Sequence, residues 1–217
     1  MNQSEIPTLV INTEHCRSLL CRLGQQYGTD KSPLNEGQYR HAYTPIYTLL
    51  LSSLRHREIN LAEIGIEKGK GLQLFRSWFS KAHIFGFEKN EQHIIHCKAL
   101  NLENTKIVFT DADNPDLFKR SFASVNCTFD LIIDDGSHLL QHQLNTIRIA
   151  FQFLKSGGIM IIEDIFIDQQ KAPDHHFAEA LKQLGEELAF AAFIYPQDPA
   201  IYTGTWNNEK LLYLVKA

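Results

Sequence analysis

Between Asn60 and Asp164, short β-branched or apolar runs alternate with longer stretches of helical pattern, and this alternation constrains the chain more than any other feature. Successive parallel strands need a crossover, usually a helix, so such a pattern predicts a mostly parallel sheet covered by helices on both faces. The runs predicted as strands are Asn60–Gly65, His83–Glu88, Thr105–Thr110, Phe129–Asp135 and Gly158–Asp164. The clearest helical stripe is Leu140, Leu144, Ile147, Phe151 and Leu154, spaced four, three, four and three residues apart, and Lys155-Ser156-Gly157-Gly158 is expected to end it. A last helix is expected over roughly Pro173–Ala189, followed by two strand-like runs, Phe190–Pro196 and Lys210–Lys216, with turn residues between them. Strand after strand without a helix implies a hairpin. The expectation is therefore an α/β fold with a seven-stranded sheet closed by a C-terminal antiparallel hairpin. The whole chain, 1–217, reads as a single domain in which a helical cap over 12–54 precedes an α/β core over 60–217.

Composition excludes several classes. With 217 residues, 44% of them hydrophobic, the chain can bury one substantial core. The longest apolar stretch, Leu188–Tyr195, is eight residues, against about 18 for a membrane span. Met1–Asn12 has no basic start and too short an apolar run for a signal peptide, so a cytoplasmic protein with no membrane partner is expected. The four cysteines, Cys16, Cys21, Cys97 and Cys127, form no CxxC pair and suggest no disulfide framework. A net charge of −4 without a Lys/Arg cluster argues against nucleic acid and for a small-molecule partner.

The first strand runs into Glu63-Ile-Gly65-Ile-Glu67-Lys-Gly69-Lys-Gly71, a glycine turn that opens a helix. A dinucleotide fingerprint needs a second glycine where Glu67 stands, so NAD is disfavoured. An acid at Glu63 beside Gly65 and Gly69 suits a cationic ligand; ordinary strand-to-helix turn chemistry is the alternative. Glu88 ends the second strand, where an acid in a doubly wound sheet meets ribose hydroxyls. Asp111 follows the third and can reach an adenine edge in the same crevice, unless it serves with Asp113 and Asn114 as a helix cap.

Strand four ends in Asp134-Asp135-Gly136-Ser137-His138 and strand five in Glu163-Asp164. Four carboxylates at neighbouring strand ends, with no Lys or Arg in either motif, would repel unless a cation joined them. A divalent ion with oxygen ligands, Mg²⁺ by preference, answers this; solvated acids at the crevice edge are the alternative. His138 and His142, four apart, also raise a zinc pair, though no HExxH pattern accompanies them. A neutral His138 near pH 7 can act as a general base.

With these residues in place, the chain resembles the class I S-adenosylmethionine-dependent methyltransferases, and among them the metal-dependent macrolide sugar O-methyltransferases of mycinamicin and macrocin type. The resemblance runs over roughly Tyr27–Asp164 and rests on Gly28-Thr29-Asp30-Lys31, Phe129–His138 and Gly157–Asp164. It implies a Rossmann-like fold, S-adenosylmethionine and Mg²⁺ as cofactors, and Asp135, Glu163 and Asp164 as metal ligands. His138 becomes the base, with Asp135 beside it in catalysis. The methionine, ribose and adenine parts of the cofactor fall to Thr29, Glu63, Gly65, Gly69, Glu88, Asp111 and Asp134. The implied acceptor is a hydroxyl of a sugar or glycosylated small molecule, and a homo-oligomer is compatible with it. A catechol-type O-methyltransferase and a non-catalytic cofactor-binding module are the competing readings. Departures, such as Thr48 after Tyr47 where an acid is common, fall in the cap and rim that select the acceptor.

Overall fold

The structure is a computed structural model and describes residues 6–217; the first five residues of the segment read above for a signal peptide lie outside it. Among the described residues, no helix is long and apolar enough to cross a membrane. The strands are β1 (Thr8–Asn12), β2 (Asn60–Ile64), β3 (His83–Glu88), β4 (Thr105–Phe109), β5 (Phe129–Asp134), β6 (Leu154–Ile165), β7 (Leu188–Gln197) and β8 (Lys210–Lys216). The helices are α1 (Leu19–Tyr27), α2 (Tyr43–Leu51), α3 (Lys70–Trp78), α4 (Glu91–Ala99), α5 (Pro115–Ala123), α6 (Leu140–Ile149) and α7 (Asp174–Leu184).

The strands form one sheet in the order β1-β7-β8-β6-β5-β2-β3-β4, and every pairing is parallel except those of β8 with β6 and β7. The sheet therefore has eight strands, not seven. The extra one, β1, pairs parallel with β7 at the sheet edge and is largely exposed, so it lacks the continuous buried run that marks the central strands. The expected helix over Leu140–Leu154 is also shorter. α6 stops at Ile149, a 3₁₀ turn carries Phe151, and Leu154 already begins β6, so the Gly157–Gly158 pair lies inside a strand. Its stripe nonetheless packs as one unit, because all five residues join the same apolar cluster. The last helix likewise ends at Leu184, with Gly185–Glu187 as a 3₁₀ turn before β7.

Side chains alternate across the strands and build two cores. Leu61, Leu131, Ile133 and Ile161 face one layer with α1, α2 and α3, while Ala62, Ile132, Met160 and Ile162 face the other with α5, α6 and α7. The second layer is centred on aromatic rings. Phe87 and Phe122 stack with centroids 4.2 Å apart, and Phe129 meets Phe122 edge-on at 5.6 Å. This cluster pins β3 and β5 to α5, and with them the two sides of the crevice where the sheet order reverses beside β2.

Phe122 is fully buried among these rings. Phe122→Ala is expected to cost about 3–5 kcal/mol of stability, measured by urea unfolding, and a loss below about 1 kcal/mol would contradict this packing.

Candidate functional site

The C-terminal ends of β2, β5 and β6 gather the acids named above. β2 and β5 turn away from the sheet almost touching: Gly65 adopts a φ of +77°, and a Cβ there would collide with the Asp135 carbonyl. Only glycine satisfies both constraints. The Asp135 amide donates to the Ile64 carbonyl at 2.8 Å, fixing the second turn to the first. Asp134 lies beneath it, accepting the Gly136 amide at 3.1 Å, and burial pushes its carboxyl up. It shapes the turn and lines neither cavity on this side of the sheet.

Consecutive strand residues point to opposite faces, yet Glu163 and Asp164 both reach the site. The pairing of β6 with β8 shifts register between Ile162 and Ile165, and Asp164 takes a φ of +55°. Such a bulge re-aims a side chain. Asp164 is then held by the Tyr43 hydroxyl, which donates to its Oδ1 at 2.6 Å, with His41 Nε2 at 3.4 Å and His138 Nε2 at 3.5 Å from its carboxylate. His138 has a φ of +60°, a second non-glycine residue in the left-handed region at this site, where strain signals a functional constraint.

Lys31 supplies the cation that the two acidic motifs lack. Its side chain is 2% exposed, and Nζ donates to Asp135 and, at 2.6 Å, to Glu163 Oε2. The other oxygen of Glu163 accepts from the Tyr47 hydroxyl. Burial alone would push Lys31 down, but Asp135 and Glu163 outweigh it and hold the ammonium well above the ordinary lysine value. Burial holds Asp135 up at about 6 and Glu163 well above the usual carboxylate range, while Lys31 opposes both shifts. Tyr43 and Tyr47 are raised by burial and by these acids, so they stay protonated as donors.

Of the expected metal ligands, Asp135 and Asp164 come together with His138, their ligand atoms all within 4.8 Å of one another. Glu163 is turned to Lys31 and Tyr47 instead. The His138–His142 pair does not converge. His142 Nδ1 meets Ser137 Oγ at 2.7 Å, its Nε2 lies 3.3 Å from Asp113, and His138 sits before α6 rather than on it.

Three cavities open here. One lies under the glycine turn, lined by Thr29, Asp30, Lys31, Glu63, Gly65 and His138, among others. Glu63 is buried there with Oε2 unpartnered, its carboxyl packed against Gly71 in the first turn of α3, and burial pushes it up to about 8. Gly69 lies at the turn's far end with a φ of +75° and caps α3. A second cavity of 790 Å³ runs over Ile64, Phe87, Glu88, Thr110 and Asp111. Glu88 accepts four backbone amides, those of Ile66, Glu67, Lys89 and Asn90, so it ties the glycine turn to the end of β3. Asp111 lines the cavity, pairs with Lys89 at 3.0 Å and closes a turn by accepting the Asp113 amide, while the cap of α5 is Asn114, which accepts the Leu117 amide at 3.1 Å. The third cavity lies on the far side of His138 and Asp164.

No protein-family model matches the chain. It is 32% identical over 155 residues to an 8-demethyl-8-(2-methoxy-alpha-L-rhamnosyl)-tetracenomycin-C 3'-O-methyltransferase of Streptomyces olivaceus, a match covering 68% of this chain and 37% of that protein. It is 26% identical over 155 residues to the mycinamicin VI 2''-O-methyltransferase of Micromonospora griseorubida, covering 68% and 36%. Among solved structures, the MycE methyltransferase of the mycinamycin pathway, in complex with Mg, SAH and mycinamycin VI, superposes with a TM-score of 0.70 at 19% identity, over 93% of this chain and 55% of that one. An Aeropyrum pernix fibrillarin with bound S-adenosyl-L-methionine gives 0.54 at 16% identity, over 78% and 72%. The chain belongs to the class I S-adenosylmethionine-dependent methyltransferases. Over the matched stretch it is similar to sugar O-methyltransferases of the tetracenomycin and mycinamicin pathways. The matched stretch spans little more than a third of the length of these curated relatives.

The Lys31 cluster generates a direct test. Lys31→Met leaves the buried Glu163 and the half-buried Asp135 without their cation, and is expected to cost about 3–5 kcal/mol in urea unfolding. Adding Glu163→Gln should recover part of that loss. A loss below about 1 kcal/mol, or none recovered, would contradict the arrangement.

Proposed function

We propose that this chain is an S-adenosylmethionine- and Mg²⁺-dependent O-methyltransferase acting on a sugar hydroxyl of a glycosylated small molecule. The observation that carries it is a shared wall: Asp30, His138 and Asp164 line both the cavity under the glycine turn and the third cavity beyond it. A methyl donor on one side and an acceptor hydroxyl on the other meet at one imidazole and two carboxylates. The names of the relatives, which act on rhamnosyl and macrolide substrates, favour a sugar over a catechol.

The cofactor's amino-acid end fits the cavity of Thr29 and Glu63, where the unpartnered Glu63 oxygen accepts from its ammonium. The nucleoside end fits the 790 Å³ cavity, within the usual range for such sites of about 300–1,000 Å³. There Phe87 and Ile64 offer apolar surface, Glu88 faces the ribose and Asp111 the adenine edge.

The donor set fits a divalent cation, because carboxylate oxygens of Asp135 and Asp164 converge within 4.8 Å of one another beside the His138 imidazole. Asp135 and Asp164 would hold the ion, and Glu163 anchors Lys31, which orients Asp135 in turn. When bound, such an ion lowers the pKa of an acceptor hydroxyl. His138 takes the proton at Nε2, which Asp164 already faces. The acceptor oxygen forms its bond to the methyl carbon as the carbon–sulfur bond breaks, leaving a thioether, an O-methyl group and a protonated His138. Tyr43 and His41 keep Asp164 in its strained conformation throughout.

Asp164→Asn should weaken Mg²⁺ binding at least about tenfold by calorimetry, and Glu163→Gln clearly less. His138→Ala should lower turnover about 10²–10⁴-fold while sparing affinity for S-adenosylhomocysteine. Near-normal turnover of His138→Ala would remove it as base, and activity surviving full chelation would remove the metal.

A further inference from the structure

We infer that Trp206 is the platform on which the acceptor's sugar ring sits, with Tyr39 as the opposite rim, an assignment that rests on the methyltransferase reading above. The third cavity, 200 Å³ in volume, is lined by Asp30, Tyr39, His41, His138, Asp164, Thr203, Trp206 and Asn208. Its inner end is the shared wall where the proton is taken. Its outer end is aromatic, with Trp206 49% and Tyr39 40% exposed, so both rings have face left for a ligand.

The platform is built rather than left loose. Phe166, just beyond Asp164 on the same chain segment, stacks behind the Trp206 ring at 6.0 Å and 14°. The Trp206 amide donates to the Thr203 carbonyl at 3.1 Å, the Ile167 amide to Asn207 at 2.9 Å, and Tyr43 reaches the Asn208 carbonyl at 3.1 Å. Tyr39 lies 3.4 Å from where a Gly204 Cβ would be, and a pair of backbone hydrogen bonds joins Arg40 to Tyr202, so cap and β7–β8 loop hold each other. One indole face is thus covered by Phe166 while Trp206 borders the cavity.

A pyranose suits this surface chemically. It presents an apolar C–H face to an aromatic ring and a rim of hydroxyls to hydrogen-bonding groups, here Thr203, Asn208, Asp30 and His41. With its apolar face on Trp206, hydroxyls at its edge point toward His138 and Asp164. A catechol would use the ring but leave most of that polar rim unpaired.

The chain has two tryptophans, and the other, Trp78, is 4% exposed with the Arg55 guanidinium over its ring at 4.2 Å, away from the third cavity, so a ligand-induced change in emission that Trp206→Phe abolishes reports on Trp206. The experiment titrates methyl α-L-rhamnopyranoside into protein saturated with S-adenosylhomocysteine and Mg²⁺, following tryptophan emission and heat. A saturable emission change is expected, absent in Trp206→Phe, with calorimetric affinity about tenfold weaker in Trp206→Ala and S-adenosylhomocysteine affinity unchanged. No emission change in wild-type protein that binds S-adenosylhomocysteine, or equal affinity in Trp206→Ala, overturns the platform. Catechol acting at lower concentration than the rhamnoside overturns the sugar assignment. Failure of the wild type to bind S-adenosylhomocysteine overturns the methyltransferase reading instead.

Discussion

The buried ammonium of Lys31 is the interaction on which the site depends. Asp135 directly follows β5, Glu163 lies two residues before the end of β6, and Glu63 is next to last in β2, so the doubly wound sheet concentrates negative charge at one end of its central strands. Burial makes each of these carboxylates reluctant to ionise, and their proximity adds to it. Lys31 comes from the segment before α2 and offsets that repulsion from inside the cluster, more than 100 residues away from both of its partners in sequence. The same segment brings Tyr43 and Tyr47 on one face of α2, one hydroxyl for Asp164 and one for Glu163. The helical cap is thus the half of the site that the sheet cannot supply.

The acids themselves need backbone that regular strands do not provide. The register shift in β6 and the left-handed Asp164 let two adjacent residues serve one crevice, and left-handed His138 turns the imidazole onto Asp164 from the other side. These conformations persist because the surroundings fix them. Tyr43, His41 and the Asn208 carbonyl form one linked group that also fastens the β7–β8 loop, so the donor side and the acceptor side share a scaffold.

Much of this was legible in the sequence where periodicity and motif coincide. The runs Asn60–Gly65, His83–Glu88, Phe129–Asp135 and Gly158–Asp164 are largely buried on both faces, which is what a short apolar run between helical stretches signals, and their C-terminal residues fall at the crevice by topology. The eighth strand was not legible, because Thr8–Asn12 is short and exposed and its partner is Phe193–Gln197, at the far end of the chain. Lys31 stood in a quoted motif, but nothing local in Gly28-Thr29-Asp30-Lys31 says that its ammonium ends between Asp135 and Glu163. Helical spacing suggested that His138 and His142 share a face. Helix α6 begins only at Leu140, so that spacing did not apply. Tyr43 and Tyr47 were the available signal, two tyrosines four residues apart in a helix with no charged residue, a pattern that asks for buried acceptors.

The account stands most directly on a calorimetric titration of S-adenosylhomocysteine into the folded protein already saturated with Mg²⁺, at pH 7 in buffers of different ionisation enthalpy. Glu63, pushed up to about 8 by burial, is mainly protonated at that pH and must ionise to accept the ligand's ammonium. One saturable site with release of about one proton is the predicted result. Absence of saturable binding would contradict the cofactor assignment, and binding without proton release would remove Glu63 from it.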